Sequence, residues 1–307
     1  MLAIVFPGQG SQSPGMLSAL ATDYSQVVDT FELASDVLGY DLWQLVLDGP
    51  ADELNETDKT QPAMLAAGVA VWRVWQDAGG ADPVLMAGHS LGEYTALVCA
   101  GALDFQDAVS LVAERGRCMQ SAVPAGSGAM AAILGLEDAA VAAVCEQASE
   151  GEVVSPVNYN SPGQVVIAGR TEAVLRAMAL AKEAGARRAL QLPVSVPSHC
   201  ALMRPAAERF AVHLKETAID TPQIPVIQNV DVTAHTSPDS IRDALERQLH
   251  SPVQWVRTVQ AMVAGGATSV VECGPGKVLA ALMRRIDRGT PATFIDSVDS
   301  LQKALQV

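Results

Sequence analysis

Aromatic residues are scarce in this sequence, at 4% of 307 positions, and basic residues are outnumbered, 20 against 34 acidic ones. The resulting formal charge of −14 excludes nucleic acid as the main partner, because phosphate contacts need clustered Lys and Arg. An acidic protein partner would require a local basic patch. Cysteine is also sparse. Cys99, Cys118, Cys145, Cys200 and Cys273 are odd in number, scattered and never in a C-x-x-C pair. That excludes a disulfide framework and a zinc site and reads as reduced thiols in a cytosolic protein. No apolar run approaches the ~20 residues of a membrane helix. Residues 2–6 are apolar, yet no basic segment precedes them and Pro7-Gly8 ends the run, so they read as a first strand and not as a signal peptide. What the chain has in quantity is aliphatic: 49% of it is hydrophobic, rich in Ala, Val and Leu. That suffices for a full core, in one large domain with an insertion or in two modest domains.

The stretch VLMAGHSLGEYTALVCAG, Val84 to Gly101, organises the rest. Val84 to Ala87 read as a buried strand and Leu91 to Ala100 as a helix, joined by Gly88-His89-Ser90-Leu91-Gly92. This is a G-x-S-x-G nucleophile elbow, in which flanking glycines let strand and helix approach while Ser90 projects into a cleft. The helix start behind it offers free N–H groups and a positive dipole end. Leu2 to Phe6 run into a second glycine-rich loop, Pro7-Gly8-Gln9-Gly10-Ser11-Gln12. Ser13 stands where a dinucleotide fingerprint needs its third glycine, so the loop reads instead as presenting N–H groups and the Gln9 amide to a ligand.

Taken in order, Met16 to about Gly80 is mostly helical, clearest from Thr60-Gln61-Pro62 to Ala78, with Trp72 and Trp75 as core or boundary residues. A helix follows the elbow over Phe105 to Gln120. Pro124-Ala125-Gly126-Ser127-Gly128 marks a boundary. Beyond it the pattern predicts strand 129–134, helix 138–148, strands 153–158 and 164–168, helix 172–184 and strand 188–192, a βαββαβ ferredoxin-like order. A helix is then expected from Ser198-His199 to about Thr217, others over 237–249 and 253–264, a strand over 269–272 and a basic-ended helix over 277–288. The fold class is therefore α/β: a large hydrolase-like subdomain with a parallel central sheet, residues 1–126 and 198–307, carrying an inserted ferredoxin-like subdomain, residues 127–197.

A serine nucleophile needs a base, usually histidine. His89 adjoins Ser90, but neighbouring side chains at a tight turn diverge, so it reads as supporting the elbow. His213 lies in a helix, His235 in a polar loop and His250 at a helix end. His199 stands where the chain re-enters the large subdomain, and the residues alone leave it balanced against an ordinary surface histidine. On helix 105–120, Arg117 reads as solvated or salt-bridged. Arg115 follows an apolar run and shares the face of Leu111 and Val112, so it reads as turned inward, where a guanidinium requires an anionic partner such as a substrate carboxylate.

With Pro7-Gly8-Gln9-Gly10-Ser11, Gly88-His89-Ser90-Leu91-Gly92-Glu93, Asn158-Tyr159-Asn160-Ser161-Pro162-Gly163-Gln164, Val196-Pro197-Ser198-His199 and Gly274-Pro275-Gly276-Lys277 in this order, the chain closely resembles, over essentially its whole length, the malonyl-CoA:acyl carrier protein transacylase family of bacterial fatty acid synthesis. The resemblance implies a ping-pong transfer through a malonyl-serine at Ser90, with His199 as base and its ring oriented by the backbone carbonyl of Gln248. It implies an oxyanion hole from the N–H groups of Gln9 and Leu91, a malonate-binding Arg115, Met119 in the acyl pocket, Asn158 at the cleft edge, and Ser198 as in malonyl-selective members. It implies malonyl-CoA and acyl carrier protein as partners and no cofactor beyond the coenzyme A of the substrate. The scattered cysteines point to no metal and a cytoplasmic location, and the absence of a long apolar surface helix makes a monomer the default. For the acidic carrier the candidate docking residues are Arg284 and Arg285, with Arg288 beside them and Arg187-Arg188 in the insertion. Two rivals share parts of this pattern. A serine hydrolase of the α/β type would need a late histidine after an acid, whereas the last histidine is His250. The malonyl-transfer subunit of malonate decarboxylase would differ in its carrier.

Overall fold

The computed structural model describes residues 1–194 and 196–306. Its first strand, β1 (Leu2–Phe6), is apolar throughout because both of its faces are covered. Ile4 and Phe6 point into one hydrophobic cluster and Ala3 and Val5 into a second on the opposite face. The helices α1 (Ser18–Ala21), α2 (Ser25–Leu38), α3 (Leu42–Asp48), α4 (Ala51–Leu54) and α5 (Thr57–Asp77) follow. α5 begins three residues before the expected Thr60 and keeps Pro62 within its second turn, where the ring forfeits one early backbone bond only. Trp72 and Trp75 on it are buried. Next come β2 (Leu85–Gly88), α6 (Gly92–Cys99) and α7 (Phe105–Gln120), the last capped by Asp104, whose carboxylate accepts from Gln106 N at 2.8 Å.

The chain then forms β3 (Gly128–Leu134), α8 (Asp138–Ser149), β4 (Val154–Ser161), β5 (Gln164–Arg170), α9 (Thr171–Glu183) and β6 (Arg188–Gln191). These strands make a four-stranded antiparallel sheet in the order β4-β5-β3-β6, the ferredoxin-like arrangement expected from the βαββαβ pattern. The helices α8 and α9 cover one face. The other face presents Met130, Val157, Val166 and Ala168 towards Cys200 and Leu202.

The segment after this sheet departs from expectation. No helix starts at Ser198-His199: those residues form a turn, a short 3-10 turn spans Ala201–Met203, and α10 (Arg204–Glu216) begins where Pro205 can occupy its first positions. There follow β7 (Val226–Ile227), α11 (Pro238–Gln248), α12 (Trp255–Ala264), β8 (Ser269–Cys273), α13 (Val278–Ile286), β9 (Ala292–Ile295) and α14 (Val298–Ala304). Sequence reading missed β7, β9 and α14. The five strands β7-β2-β1-β8-β9 form one parallel sheet, in that order. Parallel strands all end on the same side, so the loops after β1, β2, β7 and β8 gather there, where ligands bind in such sheets. The small sheet is tied to this rim by β4: Val253 N donates to Val157 O at 2.8 Å and Tyr159 N to Val253 O at 3.1 Å. Among the described residues no helix is long and apolar enough to cross a membrane.

Candidate active site

Two glycines set the elbow. A Cβ on Gly88 would lie 1.8 Å from the backbone carbon of Gly92, and one on Gly92 would lie 2.1 Å from Phe6 O, so only hydrogen fits at either position. Between them Ser90 adopts φ 51, a left-handed conformation that a serine occupies only when its surroundings impose it. That conformation lifts Oγ off the sheet. Ser90 Oγ lies 2.7 Å from His199 Nε2, and His199 Nδ1 lies 2.8 Å from Gln248 O. A carbonyl oxygen only accepts, so Nδ1 carries the ring proton and Nε2 keeps its lone pair for the serine hydroxyl. His199 is itself left-handed, φ 65, and its N–H donates to Leu249 O at 3.0 Å. Burial, then the nearby Arg115 charge, pushes the imidazole down to about 3, so at working pH it is neutral, with its Nε2 lone pair free to accept a proton.

Arg115 is 1% exposed and turned inward, as its face predicts. The anionic partner expected for it is replaced by two amide oxygens: Nη1 donates to Gln61 Oε1 at 2.8 Å and Nη2 to Gln248 Oε1 at 2.9 Å. Nη2 is also 3.5 Å from Ser90 Oγ, and Nε has no partner among the described residues. Arg117 instead bridges to Glu114 on the surface. The guanidinium therefore keeps donor capacity beside the serine hydroxyl.

The other anticipated residues surround the same cavity, of about 180 Å³, between the two sheets: Gln9, Leu91, Met119, Asn158 and Ser198 all line it. Among the described residues neither Gln9 N nor Leu91 N donates to a protein acceptor. Met119 is buried one turn beyond Arg115, and its sulfur faces Gln61 Nε2 at 3.5 Å. Asn158, on β4, is buried with Oδ1 unpartnered among the described residues. Ser198 is half-buried, its hydroxyl 3.5 Å from Val196 O. Arg284 and Arg285 lie outside the cavity. Arg284 Nη2 donates to Ala292 O at 3.3 Å, and the exposed Arg285 reaches Gln164 Oε1 at 2.6 Å, at the start of β5.

Sequence reasoning missed the residues that hold this cluster in place. Gln248 was anticipated for its carbonyl alone, yet its side chain also donates to Ser90 O at 3.1 Å while accepting from Arg115. Asn229 accepts from Ser90 N at 2.6 Å, and Glu93 accepts from Asn229 N at 2.7 Å. Burial pushes Glu93 up to about 8. His89 donates from Nε2 to Asn160 Oδ1 at 2.8 Å and packs its ring 5.5 Å from that of Trp255, bracing the elbow against β4 as expected of a turn-supporting residue. Glu93 did leave a sequence signal, as the one acid inside an apolar helix, and Gln228-Asn229 another, as paired amides after an apolar pair.

A hydroxyl polarised by a neutral imidazole, two free N–H groups, Leu91 N at the start of α6 and Gln9 N in the loop after β1, and a buried guanidinium together suit acyl transfer with an acyl group that bears a carboxylate. Residues 3–304 match the family model for the acyl transferase domain. The malonyl CoA-acyl carrier protein transacylase of Escherichia coli strain K12 is 59% identical over 305 residues, covering 99% of both chains. The crystal structure of an acyl carrier protein S-malonyltransferase from Vibrio cholerae superposes with a TM-score of 0.96 at 60% identity, over 98% of this chain and 99% of that one. A malonyl-transacylase solved in complex with a type II polyketide acyl carrier protein superposes with a TM-score of 0.98 at 56% identity, over 99% of each chain. Site chemistry, whole-chain identity and fold thus agree, and the chain belongs to the acyl transferase family, in its malonyl CoA-acyl carrier protein transacylase branch.

Proposed function

We propose that this acyltransferase moves a malonyl group from malonyl-CoA to the phosphopantetheine thiol of an acyl carrier protein, by a ping-pong route through malonyl-Ser90, and so supplies extender units for fatty acid synthesis. Residues 1–126 and 198–307 form the catalytic body in this reading, and 127–197 the opposite wall of the cleft. One observation carries it: Ser90 Oγ is 2.7 Å from a neutral His199 Nε2 and 3.5 Å from a buried arginine nitrogen.

Ser90 Oγ attacks the thioester carbonyl while His199 Nε2 takes its proton. The carbonyl oxygen gains negative charge and accepts from Gln9 N and Leu91 N; losing one such donor lowers rate by roughly 10²–10³-fold. The C–S bond breaks, coenzyme A leaves as a thiol with the proton from His199, and Ser90 holds the malonyl ester. The carrier's thiol then attacks that ester as its proton passes to His199. Ser90 Oγ departs and recovers that proton. Arg115 receives the malonyl carboxylate, two bonds from the reacting carbonyl, and Met119, Asn158 and Ser198 shape the space around it. The reaction uses no cofactor beyond the coenzyme A of its substrate. Arg284 and Arg285 dock the acidic carrier, the enzyme acts as a monomer, and the five scattered cysteines support a cytoplasmic setting.

The test is intact-protein mass after brief mixing with malonyl-CoA or acetyl-CoA, for wild type, Ser90→Ala and Arg115→Ala, with free malonate assayed alongside. A malonyl adduct on wild type, absent in Ser90→Ala, with a malonyl-to-acetyl rate ratio that collapses in Arg115→Ala, is the expected result. Malonate release without transfer to a thiol acceptor would make the chain a hydrolase and end the proposal.

A further inference from the structure

Asn229 is gripped on both sides of its amide by the turn that carries Ser90. Its Oδ1 accepts from Ser90 N and its Nδ2 donates to Gly88 O, both at 2.6 Å. The reason lies in the sheet. β7 pairs with β2 at Met86–Val226 and Ala87–Ile227 and then stops, leaving the next rungs of the ladder without a backbone partner. The side chain of Asn229 takes those rungs, presenting one acceptor and one donor as a peptide unit would. Its own backbone is pinned in turn: its N–H donates to Glu93 Oε2 at 2.7 Å, and its carbonyl accepts from Gln254 N at 3.2 Å. Glu93 belongs to the first turn of α6, directly behind the elbow, so the chain of contacts closes on itself. Asn229 is 0% exposed and does not line the cavity.

We propose that Asn229 is a positioning residue for Ser90, whose amide replaces the missing rungs of β7 and holds the serine in its left-handed conformation. With the grip released, Ser90 relaxes towards negative φ, which swings Oγ away from His199 Nε2 and turns Leu91 N with it. The fit demands an amide. Ser90 N–H needs an acceptor and Gly88 O needs a donor, and no ionised carboxylate can supply the second. This role rests on the reading of Ser90 as the acylated residue.

The experiment compares single-turnover acylation by malonyl-CoA in wild type, Asn229→Ala and Asn229→Asp, from pH 5.5 to 9. The titratable and charged groups around the elbow are Glu93 on α6, Arg115 on α7, Asp231 in the same loop, and His89 and His199; all are common to the three proteins, so the variant-to-wild-type ratio is the observable. Asn229→Ala is expected to acylate ~10²-fold more slowly, the size of effect that a misplacement of about 1 Å produces, with KM for malonyl-CoA within about threefold of wild type. Asn229→Asp is expected to approach wild type at low pH, where a protonated carboxyl can donate to Gly88 O, and to fall away as pH rises through its ionisation. A merely structural role would lower stability without that pH-dependent ratio. Should Asn229→Ala fail to fold, the isosteric Asn229→Asp decides alone. A flat ratio near one across the pH range overturns the assignment of Asn229, whereas a wild type that forms no Ser90 adduct overturns the proposed function itself.

Discussion

Replacing Glu93 by glutamine should stabilise the protein in alkaline solution and leave it unchanged in acid. Glu93 is fully buried, with Oε2 held by Asn229 N and Oε1 unpartnered among the described residues. Burial raises its carboxyl from 4.5 to about 8, with Asp231 adding to the rise and the hydrogen bond from Asn229 N, the nearby Gln248 amide and the Arg115 charge opposing it. In the unfolded chain the group has its ordinary value. Between about pH 4.5 and 8, therefore, the folded protein keeps a proton that the unfolded chain has already released, and stability falls as pH rises through that window, levelling off above it. At 1.36 kcal/mol per pH unit the full loss is about 5 kcal/mol, and partial relaxation around the ionised group brings it to the order of 2–5 kcal/mol. Glu93→Gln retains a carbonyl for Asn229 N and has no proton to lose. The variant should match wild type near pH 5 and exceed it at pH 9, with a Tm gap of roughly 4–10 °C for a chain of this size. Calorimetry at pH 5, 7 and 9 measures the gap. Glu272, the other deeply buried carboxyl, is pushed up to about 7 by burial and tilts both proteins alike, so the difference is the quantity to read. A gap of constant size, or a wild type more stable at pH 9, would refute the reasoning and make Glu93 an ionised partner of the Arg115 cluster.

Other substitutions probe separate parts of the argument. Because burial and Arg115 hold His199 down at about 3, the single-turnover acylation rate should show no acid limb attributable to this histidine between pH 5 and 7, and His199→Ala should lower it by ~10²–10⁴-fold at every pH. Gly88→Ala should abolish folding, since its Cβ would meet backbone at 1.8 Å, whereas Gly126→Ala, with φ 77 and nothing within 4 Å, should lower stability by only about 1 kcal/mol in denaturant titration. Charge reversal at Arg284 and Arg285 together should raise KM for the acidic carrier roughly five- to tenfold and leave the coenzyme A half-reaction alone; an unchanged carrier KM removes this site as the docking surface.

Much of this fold was legible because its signals are local. β1 is a doubly buried strand cut off by Pro7-Gly8, α7 occupies its predicted span from Phe105 to Gln120, and the βαββαβ order follows from the alternation of short apolar runs and amphipathic helices. Ser90 declares itself through flanking glycines and Arg115 through its apolar face. What escaped depends on distant partners. β7 is two residues long between Pro225 and a polar loop, too short for any periodicity, and without it the place of Asn229 beside the elbow could not be seen. The conformation of His199 is imposed by Leu249, fifty residues along the chain, so a helix start was the natural local reading. The side chain of Gln248 carries no local mark at all.

That side chain has an evolutionary consequence. Gln248 holds the His199 ring through its backbone carbonyl, the Ser90 carbonyl through Nε2 and Arg115 through Oε1. An acyltransferase that drifts towards neutral acyl groups by losing Arg115 strands Oε1 in a dry interior, and the disturbance passes straight to the serine. Diversification of substrate range within this scaffold is thus expected to proceed by paired exchange at positions 115 and 248, and a lone arginine replacement should yield a poor enzyme for every acyl donor before it yields a new specificity.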